Sequence, residues 1–116
     1  MHRSDVVATL DLEREQTLAR IAELDAEFDD IMSGGHENGD DEHDPEGSTI
    51  AFERARTISL RQEARNHLDH IELALERVAA GTYGVCLVCQ TDISPQRLAA
   101  RPEAPTCIAC ASRTTR

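Results

Sequence analysis

The chain has 116 residues and a formal net charge of −10, from 22 acidic and 12 basic residues, and every basic residue is Arg. Apolar residues make up 40% and aromatics 3%, the latter only Phe28, Phe52 and Tyr83; with so few large rings to bury, thin, elongated packing is expected rather than a deep globular core. Strong acidity disfavours nucleic acid and anionic membranes as partners and suits a basic protein surface, although acidity also serves solubility alone.

Residues 1–32 carry nine acids and three Arg. From Ser4 to Met32 the pattern is helical: Val7, Leu10, Thr17, Ile21, Leu24, Phe28 and Ile31 recur at alternating three- and four-residue steps, with Arg14 in the one missing place. That spacing keeps one narrow stripe turned toward a partner helix, as in a coiled coil. Ser4 is the expected N-cap, with Asp5 well placed against the helix dipole. Ser33 to Thr49 interrupts the stripe with four Gly, Pro45 and six carboxylates, and reads as a solvated loop. A second helix is predicted from Asp44-Pro45 or Ser48 to about Ala80, with Ala64, Leu68, Ile71, Leu75 and Val78 as its stripe and Gly81 as its stop. Two helices of this length, ~45 Å each at 1.5 Å per residue, cannot bury their stripes alone, and folding back on each other covers both.

The four cysteines fall in two pairs. Cys86-Leu-Val-Cys89 and Cys107-Ile-Ala-Cys110 are separated by 17 residues, the spacing of a two-knuckle zinc site. A two-residue gap lets one tight turn present two thiolates to the same ion, and four thiolates close the tetrahedron that zinc prefers. A tail of 36 residues with so few large side chains cannot fold by apolar burial, so ligation would supply the missing free energy, on the order of 10 kcal/mol or more. Redox dithiols or unrelated buried thiols compete with this reading, but no βαβ pattern accompanies the pairs. His36 and His43 read as solvated loop residues, and His2, His67 and His70 as ordinary terminal or helix-surface residues.

The segment Gly81-Thr-Tyr83-Gly84-Val-Cys86-Leu-Val-Cys89, with Ile93, Arg97-Leu98, Ala100, Pro102, Ala104 and Cys107-Ile-Ala-Cys110, closely resembles the DksA/TraR C4-type zinc finger, spacers included. The preceding helix with its Asp44-Pro45 start also resembles the second arm of that family's coiled coil. The resemblance implies a bacterial transcription regulator that binds RNA polymerase and inserts its coiled coil into the secondary channel, where acidic tip residues approach the active-site region. The family tip often carries Asp-x-x-Asp-x-Ala. The nearest match is Asp41-Glu-His-Asp44-Pro-Glu46, with Glu46 where Ala would stand. Gln90 replaces the Gly usual after the second cysteine, and a left-handed backbone there would cost roughly 1–2 kcal/mol. With no Lys in the chain, an alarmone site built from family Lys residues is not carried over.

The expected architecture is mostly α: an acidic, antiparallel helical hairpin over residues 1–80 with a tip loop near 33–49, then a C4 zinc finger over 81–116 with a short C-terminal helix. Cys86, Cys89, Cys107 and Cys110 are the candidate ligands of one structural zinc, and Asp41, Asp44 and Glu46 the candidate partner-binding tip. The partner implied is RNA polymerase, met by a monomer. The alternative is a zinc-stabilised interaction module with another partner, possibly dimeric. Direct DNA binding is not expected, since Arg97, Arg101, Arg113 and Arg116 are few for a DNA footprint. Neither is catalysis, since no nucleophile–base pair or phosphate-binding loop is present; the acidic loop also departs from an EF-hand, with Pro45 after Asp44. No apolar run is long enough to span a membrane and the start of the chain lacks a signal-peptide core, so a cytoplasmic location is expected, where thiols stay reduced.

Overall fold

The computed structural model describes the backbone of residues 2–37 and 45–114, and the side chains of 2–33 and 49–113. It contains α1 (Arg3–Glu37), α2 (Pro45–Ala80), α3 (Pro95–Ala100) and α4 (Ile108–Thr114). Among the described residues the only β feature is an isolated antiparallel bridge between Val85 and Asp92, and no helix is long and apolar enough to cross a membrane.

Packing groups the chain into two compact units, Met1–Gln16 with His67–Arg116, and Thr17–Asn66. Both long helices contribute to each. In the first unit Val6 and Leu10 of α1 pack with Ile71, Ala74 and Val78 of α2, and Val7, Leu75 and Tyr83 flank them. Arg14 reaches Glu72 at 3.2 Å, and the Arg3 guanidinium donates to the Ala79 carbonyl at 3.4 Å. Low numbers on one helix meet high numbers on the other, so the pair is antiparallel. In the second unit Thr17 and Leu24 of α1, and Thr57 and Ala64 of α2, are buried. There Asp25 is gripped by Arg61 at 2.8 Å and Arg65 at 3.1 Å, while Arg61 also lies 4.4 Å over the Phe28 ring. These contacts are antiparallel as well.

The stripes follow the expected spacing with informative differences. Leu10, Thr17 and Leu24 are seven residues apart, as are Thr57, Ala64, Ile71 and Val78, and all are buried. A seven-residue return keeps one line on the seam. Val6 is buried more deeply than Val7, and Ala74 more deeply than Leu75. At Ala74 the smaller residue fits between the helices and Leu75 leans to the flank, whereas Val6 and Val7 are equal in size and only the direction of approach separates them.

The helix ends also differ from expectation. The His2 carbonyl accepts from Asp5 and Val6 N–H at 3.0 and 3.1 Å. His2 therefore occupies the cap position, and Ser4 lies inside the first turn. At the other end α1 continues through Ser33, Gly34 and Gly35 to Glu37, so residues 33–37 are helical rather than loop, while α2 begins at Pro45, one of the two expected starts. Each Gly costs about 1 kcal/mol against Ala in a helix, but extending an existing helix adds a backbone bond per residue and needs no new nucleus. Pro45 takes the first helical position, where a missing N–H costs nothing.

The stop at Gly81 is as expected. Gly81 has φ +82°, its N–H reaches the Val78 carbonyl at 3.2 Å, and the Thr82 N–H reaches the Arg77 carbonyl at 2.9 Å. This pair of bonds is the glycine cap that turns a chain off a helix. A Cβ at Gly81 would meet nothing within 4 Å, so the requirement is backbone conformation and not space.

Candidate metal centre

The first cysteine pair sits on a tight turn. The Cys86 N–H donates to the Thr91 carbonyl at 2.8 Å and the Ile93 N–H to the Gly84 carbonyl at 2.8 Å, which brings the strands on either side of the turn together. At the turn itself the Gln90 N–H closes onto the Cys86 carbonyl at 3.0 Å, with Gln90 at φ +66°. This is the left-handed backbone expected where Gln replaces Gly. Its side chain returns to the Leu87 carbonyl at 3.3 Å, a local bond that helps hold the strained residue. The turn aims the Val88 and Cys89 N–H groups at Cys86 Sγ, at 3.4 and 3.5 Å.

The second pair sits at the start of α4. Its Ala111 N–H bonds the Cys107 carbonyl at 2.9 Å, so Cys107 stands just before the helix and Cys110 in its first turn. The Leu87 N–H donates to the Pro105 carbonyl at 3.0 Å and ties the two halves together. Between them α3 is set by Ser94, whose Oγ accepts the Arg97 N–H at 3.2 Å, with Pro95 at the first helical position. Arg97 then donates to the Thr106 carbonyl at 2.8 Å, and the Tyr83 hydroxyl to the Pro102 carbonyl at 2.9 Å. Arg77, in the last turn of α2, donates to the Thr82 carbonyl at 2.7 Å and also to that of Val85. Apolar support is small: Cys86, Ile93 and Cys110 are buried, with Leu98 and Cys107 packed against them.

The four sulfurs lie within 4.8 Å of one another. Cys89 and Cys107 Sγ are 3.9 Å apart, against about 3.8 Å for the edge of a tetrahedron with zinc–sulfur bonds of roughly 2.3 Å. The electrostatics fit a dication too. The backbone N–H of Cys89, with those of Cys107 and Val88, holds the Cys86 thiol down at about 6 against the opposing effect of burial. The Thr91 hydroxyl, 2.9 Å away, is the main cause lowering Cys89. Arg113, 3.3 Å from Cys110 Sγ, pulls that thiol down, but burial and the three neighbouring sulfurs outweigh it and leave Cys110 pushed up to about 11. Without an ion the cluster resists complete ionisation; a zinc ion reverses that, because a coordinated thiol is deprotonated outright. The donor set, its spacing and its N–H support fit one structural Zn2+, with no open position for a substrate.

Asp41 and Asp44 lie outside the described residues. Glu46 falls in the first turn of α2, and its side chain also lies outside them. No sequence signal points to a second cluster. Glu13 of α1, His67 of α2 and Glu103, just after α3, offer ligand atoms within 4.8 Å of one another. No local spacing links residues this far apart, and His67 had the look of a helix-surface residue. Its ring is instead half-buried between two carboxylates, with Nε2 3.7 Å from Glu13 and Nδ1 3.7 Å from Glu103.

Comparison with known proteins identifies the C-terminal module. Residues 81–116 match the family model for the prokaryotic dksA/traR C4-type zinc finger. The uncharacterized protein YteA of Bacillus subtilis (strain 168) is 38% identical over 74 residues, which cover 64% of this chain. The chain spans about a third of that relative, 31% of its length. The solved structure of transcription factor DksA2 from Pseudomonas aeruginosa is similar with a TM-score of 0.50 and 28% identity, over 93% of this chain and 84% of that one.

Proposed function

We propose that this chain is a bacterial transcription regulator of the DksA/TraR type that acts by protein–protein contact with RNA polymerase, entering the secondary channel with the acidic segment between α1 and α2. The observation that carries the reading is the similarity to a DksA2 transcription factor across 93% of the chain. The finger match and the antiparallel packing of α1 with α2 agree with it. In this reading Cys86, Cys89, Cys107 and Cys110 hold one zinc that stabilises the base of the helical pair and takes no part in chemistry. Asp41, Asp44 and Glu46 are the contact residues. A net charge of −10 steers the encounter with a positive cavity, and the encounter weakens as salt rises.

The test is capture of core RNA polymerase by the full chain at low salt. The paired substitutions Asp41→Lys and Asp44→Lys are expected to weaken capture at least tenfold, with zinc content unchanged. Failure of the unmodified chain to capture polymerase at low salt would remove the reading.

A further inference from the structure

We propose that Glu13, His67 and Glu103 form a second binding site for a divalent cation of the zinc type, separate from the four cysteines and joining α1, α2 and the segment after α3. The argument starts from Glu103. Its side chain is only 3% exposed, and while Oε2 is paired with Arg101 at 3.3 Å, Oε1 has no hydrogen-bond partner. Buried carboxylates are normally satisfied by donors or by a metal, and an orphaned oxygen calls for a water or an ion. Beside it are a second carboxylate, Glu13, and an imidazole, with one ligand atom from each of the three residues inside 4.8 Å.

The distances suit ligation better than direct pairing. Both His67 contacts, at 3.7 Å, exceed an N–H···O hydrogen bond. The two contacts use different ring nitrogens, so an ion would take one of them and draw the other carboxylate in from within 4.8 Å toward the roughly 3.3–3.5 Å that separates adjacent ligands of tetrahedral zinc. One ring nitrogen and two carboxylate oxygens make three protein ligands, and water completes the four. Arg101 already neutralises Oε2 and leaves Oε1 for the cation.

The local field agrees. Burial raises the Glu13 carboxyl, and repulsion from Glu103 and a side-chain hydrogen bond with it raise it further, with His67 and Arg101 offsetting in part. Burial also raises the Tyr83 phenol, with Glu103 and then Glu13 adding to it. The excess negative charge at this point is thus felt by two neighbours, and a dication would relieve both. Imidazole with carboxylate oxygens is a borderline donor set that prefers zinc over calcium or magnesium.

The experiment takes full chain carrying its first equivalent of zinc, exposes it to excess zinc, removes loosely held metal by desalting and counts ions per chain. Two equivalents are expected, falling to one in His67→Ala and in Glu103→Gln. With cobalt as second ion, weak d–d absorption without sulfur-to-metal charge transfer is expected in the unmodified chain alone. Retention of the first equivalent is the folding control, and His67→Ala, at a half-exposed position, carries the test if the buried Glu103→Gln variant fails it. One equivalent in the unmodified chain would overturn the proposal, as would a second equivalent that survives both substitutions. The first result would leave His67 lying between two glutamates with no ion, and the second would place the ion elsewhere. Neither outcome bears on polymerase capture.

Discussion

The two compact units use the same helical spacing with different chemistry. Around Leu10, Ile71 and Val78 the seam is aliphatic and deeply buried. Over Thr17–Asn66 the positions seven residues apart are Thr17, Leu24, Thr57 and Ala64, with one large aliphatic among them, and Asp25 with Arg61 and Arg65 adds ion pairs. Periodicity therefore places the covered stripe to within a residue, while side-chain volume decides how firmly it is held. Aliphatic burial contributes about 25 cal/mol per Å², whereas exposed ion pairs contribute little and are screened by salt. Local opening, read by hydrogen exchange, should accordingly be easier in Thr17–Asn66 than around Leu10 and Ile71.

The largest test of that contrast is metal removal. Chelation, or Cys107→Ser, withdraws ligation free energy on the order of 10 kcal/mol and should unfold the finger around Cys86, Ile93 and Cys110. Amide exchange would show protection lost over residues 81–114 and largely kept in Thr17–Asn66; equal loss in both would break the contrast. Next, Leu10→Ala at the fully buried seam should cost about 2–5 kcal/mol, seen as a lower urea midpoint. A cost below about 1 kcal/mol would mean the aliphatic seam is not what holds the first unit. Gly81→Ala forces a side chain into φ +82° and should cost about 1–2 kcal/mol, with the thermal midpoint as readout. Smallest is Asp25→Asn in the second unit, about 0.5–1 kcal/mol and fading as salt is added. An effect there that is larger than that of Leu10→Ala would reverse the ranking of the two seams.

Much of this was legible in the residues. The stripes, the Gly81 stop, the left-handed Gln90 and the cysteine pairing each rest on a local rule that acts over a few residues. The differences mark where local rules end. Whether Val6 or Val7 goes inside depends on the approach of the opposite helix, which no pattern in α1 records. The α3 helix carries a Ser-Pro start signal at Ser94-Pro95, but six residues are too few to show a helical period. The extension of α1 through Gly34 and Gly35 reflects cooperativity, which composition underrates. The Glu13, His67 and Glu103 cluster had no signature at all, since three separate segments meet only after folding.

Arg77 has a consequence of its own. Its planar guanidinium spans two carbonyls beyond the helix that carries it, those of Thr82 and Val85. Both bonds leave one nitrogen, Nη2, so a single charged donor holds the bend from helix to knuckle and a glycine can sit at the corner. A lysine ammonium also carries several donors on one nitrogen, so a charged donor at this point matters more than the planar fork. Removing the donor while keeping the length, as in Arg77→Met, would therefore loosen this elbow where another cation could still hold it.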